Sequence, residues 1–268
     1  MPMSPRLLRP RASGLVLPTD AAARAYVLAV NAADGQPLEA PVVQAIDAFI
    51  TGCKSDGIWS AIKASCILMG ARTLSGALTP LAGSAPTNNN FVSGDYNRKT
   101  GLVGDGSTKY LSSGRANNAD PQNSKHLSVY VTAASTASAT GRTYIGAPVA
   151  DASSWLHGAA TSNLLSVRAN TATSVFNLAN SEAVTGFVGV ARNSDANNTG
   201  YRYSGATSSA AAASVAPTNA TIEVYRGTST TSHSNARMAW YSIGEQVNLA
   251  LLDSRISTLY NAIGAAIP

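Results

Sequence analysis

Charge is what this sequence has least of. Asp, Glu, Lys and Arg make up 12% of 268 residues, about half the share usual in globular domains. The polar surface therefore has to come from Ser, Thr, Asn and Gly. No acidic residue precedes Asp20, and basic residues are scattered except for Arg6, Arg9 and Arg11. A diffuse formal charge of +5, with no basic stripe interleaved with aromatics, argues against a nucleic-acid partner. Cysteine is limited to Cys53 and Cys66, without CxxC or zinc spacing, which excludes a disulfide framework and a zinc module. Cys53 falls on an apolar helical stripe and Cys66 stands beside Ile67 and Leu68, so both read as buried thiols, with a bond between them left open. No apolar run approaches the roughly 18 residues of a membrane-spanning helix. No apolar core of about 7–15 residues follows the basic start, so a secretory signal is not expected and folding in a cytoplasm is.

What is present divides the chain in three. Residues 1–18 carry Pro2, Pro5, Pro10 and Pro18, which fix φ and remove donors, so this reads as an extended arm. Arg6, Leu7, Leu8, Arg9, Arg11, Leu15 and Leu17 make it apolar and basic, the character of a docking strap. Residues 19–64 read as helical. Thr19 and Asp20 are capping residues, Ala22, Tyr26, Ala29/Val30 and Ala33 share a face, and Gly35 is a stop. Pro41 suits the start of a second helix, in which Val42/Val43, Ile46, Phe49/Ile50 and Cys53 repeat at 3–4 spacing. Asp56 is expected to cap a short third helix with Ile58, Trp59 and Ile62 on its apolar face. Three short helices are too small to stand alone and are expected to pack on the remaining chain or on a neighbouring subunit.

Residues 65–268 read as a β-sandwich closed by a helix. Gly70, Gly76, Pro80, Gly83 and Pro86 punctuate the entry. Short segments rich in β-branched and aromatic residues follow, bounded by Gly, Asn, Ser or Thr: HLSVYVTA, RTYIGA, SWLHGA, NLLSVRAN, SVFNLAN, GFVGVARN, YRYSGAT, ATIEVYRG and ARMAWYSIG. That spacing predicts a mainly β chain with a sandwich or jelly-roll layout. Leu127, Val129 and Val131 share one face by period two. At the end, Leu249, Leu252, Ile256, Leu259/Tyr260 and Ile263 predict a helix. The stretch from Asp56 to Leu111 joins the helical and strand-like parts.

Few residues carry chemistry. His126, His157 and His233 have no ligand spacing, and no HExxH occurs; each reads as structural or exposed. The segment GDGST (104–108) lacks the Lys-Ser/Thr of a phosphate loop and reads as a turn. The loop 193–200 offers Asp195, Asn197 and Asn198, oxygen ligands of the kind calcium takes, and is read as a plain polar turn. No metal site and no cofactor are expected. Sugar recognition calls for an aromatic platform with polar neighbours. Trp155 with His157, and Tyr201 with Tyr203 on one strand face, are the candidates; Trp59 and Trp240 read as core.

Two passages, DGIWSAIKASCILMGARTLSGALTPL leading through FVSGDYNRKTGLVGDGSTKYL and NNADPQNSKHLSVYVT, and the ending AWYSIGEQVNLALLDSRISTLYNAIG, resemble a family of virion proteins of tailed bacteriophages, cyanophages included. Its members are capsid-decorating (cement) proteins, tail fibres and distal parts of tailspikes. The resemblance covers roughly 38–268. It implies a concanavalin A-like, lectin-like antiparallel β-sandwich, homotrimeric assembly, and a place on the virion, the outer capsid surface before the tail. It also implies partners in the major capsid protein or a tail component, with a host surface glycan as an alternative and no membrane insertion. Related sandwiches that hydrolyse glycans carry alternating acids, E-x-D-x-E. Here Glu39, Glu182, Glu223 and Glu245 have no acid two or four residues away, so no enzymatic activity is expected.

Overall fold

The helices before Gly57 begin and end at their capping residues. The computed structural model describes residues 16–268 apart from 137, 140, 149–152, 159–163, 173–175, 180–184, 194–197, 204 and 228–230, with 164, 176–179 and 198–203 described by their backbone. Helix α1 is Ala21–Asp34. The Asp20 carboxylate accepts from the amides of Ala22 and Ala23, and Gly35 closes the helix at φ 69°, a left-handed value that glycine adopts without a Cβ penalty. Its buried face is Ala23, Tyr26, Val27, Val30 and Asp34; Tyr26 and Val30 of the expected stripe are buried, Ala22 is half-buried, and Ala29 and Ala33 face solvent. Alanine at half of the helix positions had left that phase open. Helix α2, Ala40–Ser55, carries Pro41 in its first turn and buries the expected stripe.

The third helix is replaced. Trp59–Ala61 forms one 3-10 turn, and strand β1, Ile62–Ile67, follows at once. Ile58 and Ile62 mimic a helical pair. Ala64 and Cys66 instead belong to one core cluster and Ile62 and Ile67 to the other, so the segment is apolar on both strand faces. Its partner decides its conformation. Further strands are β2 Thr87–Asn89, β3 Tyr96–Asn97, β4 Gly101–Val103, β5 Tyr110–Ala116, β6 Ser124–Ala133, β7 Arg142–Gly146, β8 Trp155–Gly158, β9 Leu164–Arg168, β10 Phe176–Ala179, β11 Gly186–Asn193, β12 Asn198–Tyr203, β13 Ala206–Ala211, β14 Thr221–Val224 and β15 Arg237–Gly244. Short helix α3 is Leu74–Ala77 and the closing helix α4 is Leu249–Ala266. Each of the nine strand-like segments carries a strand, and α4 buries Leu249, Leu252, Ile256, Leu259 and Ile263.

The strands make a mainly β fold of two antiparallel sheets. The eight-stranded sheet runs β13-β12-β11-β6-β15-β4-β3, with β1 also on β15. Along one side β15 pairs with β6; on the other it meets β4 at Arg237 and Met238 and β1 from Trp240 to Gly244. The seven-stranded sheet runs β10-β9-β8-β7-β14-β5-β2. Between the sheets lie Leu111, Leu127, Val129, Val131, Leu156, Val188, Ile222 and Met238. The eight-stranded sheet has a second apolar face. Phe187, Ala191, Ala239 and Trp240 join the buried faces of α1, α2 and α4 in a separate core cluster. Phe49 of α2 stands edge-on to Trp240 at 5.3 Å. The architecture is thus helices, eight-stranded sheet, seven-stranded sheet, and the helices pack on the sandwich itself. Cys53 and Cys66 are buried free thiols, both pushed up to about 12 by burial.

Candidate functional site

The outer face of the seven-stranded sheet carries the candidate site. Period-two alternation sends Leu156, Leu165, Val167, Ile222 and Val224 inward. It leaves Tyr110, Trp155, His157, Ser166, Arg168 and Glu223 on the other face. Register then assembles them. Trp155 stands opposite Gly146 on one side and Arg168 on the other, and His157 stands between Thr143 and Ser166. Glu223 lies opposite Gly146 and Ser112.

Trp155 is half-buried and held from two directions. Its indole N–H donates to Ser166 Oγ at 3.1 Å. The Arg168 guanidinium lies 3.8 Å from its ring centroid, close enough for a cation–π contact. Gly146 makes room for it, since a Cβ there would come within 2.7 Å of Trp155 Cβ. His157 Nδ1 is 2.9 Å from Thr143 Oγ1, and that hydroxyl donates to Ser232 Oγ, which donates to the Gly227 carbonyl. The run ends on an acceptor, so Nδ1 carries the proton and Nε2 is the acceptor of the neutral ring. Burial pushes the His157 imidazole down to about 4, keeping it neutral near pH 7.

Across Gly146 a second group forms. Arg226 makes a two-pronged ion pair with Glu223, both contacts 2.6 Å, and its guanidinium lies 3.5 Å from the Tyr110 ring centroid. His233 stands edge-on to Tyr110 at 6.0 Å; burial, then the nearby Arg226 charge, lowers its pKa. The register row through Glu223 brings Ser112, Gly146, Trp155 and Arg168 beside it and no second carboxylate. Two facing carboxylates, the requirement for glycoside hydrolysis, are not assembled in that row.

The other sequence candidates lie elsewhere. Tyr201 and Tyr203 belong to β12 of the eight-stranded sheet, so they share no sheet with Trp155; their side chains lie outside the described residues. So do Asp195, Asn197 and the Asn198 side chain, and Arg6, Leu7, Leu8, Arg9, Arg11 and Leu15 of the arm. Leu17 is described and is 37% exposed. Trp240 is core, at 1% exposure. Trp59 is not: it packs at the rim of the helical cluster, with Lys54 Nζ 5.9 Å from its ring, because the 3-10 turn replaces the helix that would have buried it. His126 is fully buried, its Nδ1 against the Glu245 carbonyl at 2.5 Å and Nε2 against Ser242 Oγ at 2.9 Å. Asp105 accepts from the amides of Ser107, Thr108 and Lys109, the turn expected of GDGST. Among the described residues, no group of three His, Cys, Asp or Glu side chains gathers to hold a metal. Sequence reasoning missed Arg168, Glu223, Arg226 and Tyr110. Alternation places Ser166 and Arg168 on one face, but only strand order brings them to Trp155.

No family model matches the chain, and no curated protein matches it. Among solved structures it is similar to domain 4 of AbnA, a GH43 extracellular arabinanase from Geobacillus stearothermophilus, in complex with arabinotriose. The identity is 12% and the TM-score 0.38, over 65% of this chain and 82% of that one. The botulinum neurotoxin serotype D binding domain shows 12% identity and a TM-score of 0.44, over 74% and 51%. A protein of unknown function, SO2946 from Shewanella oneidensis MR-1, shows 12% and 0.35, over 62% and 76%. These likenesses are of β-sandwich architecture at low identity and carry no functional argument.

Proposed function

We propose that this chain is a structural virion protein of the capsid-decorating kind, mounted by its helical side and displaying the seven-stranded sheet. The observation that carries this reading is the asymmetry of the two outer faces. One is sealed by α1, α2 and α4. Val16 and Leu17 lead into that layer, 41% and 37% exposed, and Thr19 is tied to Asp47 of α2. An apolar segment emerging from a rigid layer suits a strap that docks on a shell. The low-charge Ser/Thr/Asn surface supports it too, because such side chains lose little entropy on contact and crowded copies repel one another weakly. The motif resemblance supports the virion assignment.

The test is copy number per virion by quantitative mass spectrometry against the major capsid protein. A number comparable to the capsid protein's is expected. One lower by one or two orders of magnitude overturns the decoration reading and points to a tail appendage. Trp155 favours a second reading, a lectin-like receptor-binding role. A half-buried indole braced by Ser166 and Arg168 on an open face is a platform that glycans recognise weakly, and repeated copies would strengthen it. A glycan array answers that: binding abolished by Trp155→Ala supports recognition at this face, and a blank array leaves the decoration reading alone.

A further inference from the structure

Under the helices, the eight-stranded sheet carries four polar side chains in a row. His126 and Ser128 of β6 and Trp240 and Ser242 of β15 point to the helical side, because Leu127, Val129, Tyr241 and Ile243 take the face between the sheets. Ala191, directly opposite His126, belongs to the helical cluster with Trp240. All four polar residues are at most 1% exposed. The indole N–H of Trp240 donates to Ser128 Oγ at 3.3 Å. Ser128 Oγ is 2.7 Å from Ser242 Oγ, which is 2.9 Å from His126 Nε2. His126 Nδ1 then lies 2.5 Å from the Glu245 carbonyl. Both ends fix the direction of the row. An indole nitrogen only donates and a carbonyl only accepts, so Nδ1 carries the proton, Nε2 accepts from Ser242, and Ser242 accepts from Ser128. The row joins two anchors of the helical layer. Trp240 meets Phe49 of α2 at 5.3 Å, and Glu245 stands just before Asn248, which caps α4.

We propose that this row is an acid-sensitive latch: neutral His126 holds the start of α4 on the sheet, and a proton taken from solvent at Nε2 releases it while the two sheets stay paired. Direction is what makes the row sensitive. Once Nε2 carries a proton, Ser242 must accept from it and turn its own proton toward Ser128. Ser128 then accepts from both Ser242 and Trp240, and its hydroxyl proton has no acceptor in the row. A buried imidazolium and a stranded hydroxyl are both costly. Opening the turn at 245–248 gives the ring water, so the open form takes the proton first. Burial pushes the closed His126 imidazole down to about 4, against about 6.5 for an imidazole in water. The latch is therefore closed above about pH 6.5 and opens as pH falls toward about 4. The neighbouring charges are otherwise engaged. Arg115 and Lys125 pair with Asp120, and Arg192 of β11 turns to the Ala169 carbonyl at 2.8 Å, on the other face. The Glu245 carboxylate pairs with Lys63 of β1 at 2.8 Å. On the helical side, Arg255 of α4 binds Asp56 and holds its carboxyl below the usual carboxylate range, so that tie outlasts the titration of His126. The latch stands independently of the virion reading.

Hydrogen exchange of the full chain between about pH 7 and 4.5, with rates corrected for their intrinsic pH dependence, tests it. The amides of α4 should open about tenfold more often for each pH unit lost below about 6.5, the slope for uptake of one proton. Amides 127–131, between the sheets, should open far less often throughout. His126→Asn keeps a donor for the Glu245 carbonyl and does not titrate, so the slope at α4 should disappear. His157→Asn, on the other sheet, is the control and should leave that slope in place. The wild type gives a second readout that needs no variant. Nitrogen NMR at pH 7 should show His126 protonated at Nδ1 and bare at Nε2. A pH-independent α4, protection at 127–131 lost in step with α4, a slope that persists in His126→Asn or vanishes in His157→Asn, or an Nε2-protonated ring at pH 7 overturns the proposal.

Discussion

The two outer faces of the sandwich differ in residue type and in how far they are covered. On the eight-stranded sheet, Ile67, Phe187, Ala239 and Trp240 lie under helices; on the seven-stranded sheet, Trp155, His157, Arg168 and Glu223 are half-buried. The strands record the difference. β15 is buried at seven consecutive positions after Arg237, while β8 and β14 alternate half-buried and buried. A strand covered on both faces loses the alternation that marks a half-exposed one. The difference is one of degree, since β7 of the seven-stranded sheet is itself buried at four consecutive positions after Arg142, and it teaches that the longest buried run marks the strand beneath the helices.

Substitutions should separate the two faces, and the largest effect belongs to the sealed one. Trp240→Ala removes the ring that meets Phe49 at 5.3 Å and should cost about 3–5 kcal/mol in a urea titration. A cost below about 1 kcal/mol would mean the helices do not depend on this sheet. At the end of the sandwich, where β5 hands over to β6, Asp120 pairs with Arg115 and with Lys125 at 3.0 Å. Asp120 and Lys125 side chains are fully buried. Asp120→Asn takes a carboxylate away from the buried Lys125 charge and should cost on the order of 3 kcal/mol; an unchanged urea midpoint would show that its other partners, the Asn117 carbonyl at 3.0 Å among them, suffice.

Acid should weaken both sheets, by a smaller amount. His126 and His157 are pushed down to about 4 by burial. The unfolded imidazoles, near 6.5, bind protons before the folded ones do. Stability from these groups is therefore complete above about pH 6.5 and is lost as pH falls toward 4, on the order of 2–3 kcal/mol at the lower end for fully buried His126. A urea midpoint constant between pH 7 and 4.5 would contradict this. The smallest effect is expected on the open face. Trp155→Ala loses a cation–π contact worth about 0.5–1 kcal/mol and part of its burial, so the midpoint should move by about 1 kcal/mol while any glycan binding disappears. A loss as large as that of Trp240→Ala would show that the two faces are not different in kind.

Much was legible in the amino-acid pattern because the signals are local. Asp20, Gly35 and Pro41 mark helix ends through groups within three or four residues of themselves. The 3–4 repeat of α4 and the alternation at Leu127, Val129 and Val131 need only the geometry of one element. The alanine-rich α1 gave its existence but not its phase, because nearly every rotation buries an alanine. Nothing local marked 62–67 as a strand, since a segment apolar on both faces satisfies helical spacing as well.

The sequence by itself determined a low-charge, mainly β chain with helices at both ends and few candidates for chemistry, since composition and short-range periodicity are properties of single segments. Tertiary structure alone decided the rest. β15 turned 62–67 into a strand by supplying its hydrogen bonds. Strand order brought Arg168 beside Trp155 and set Gly146 between that pair and Glu223 with Arg226. Each depends on which backbones become neighbours across the sheets, and that is settled by burial shared among segments far apart in the chain.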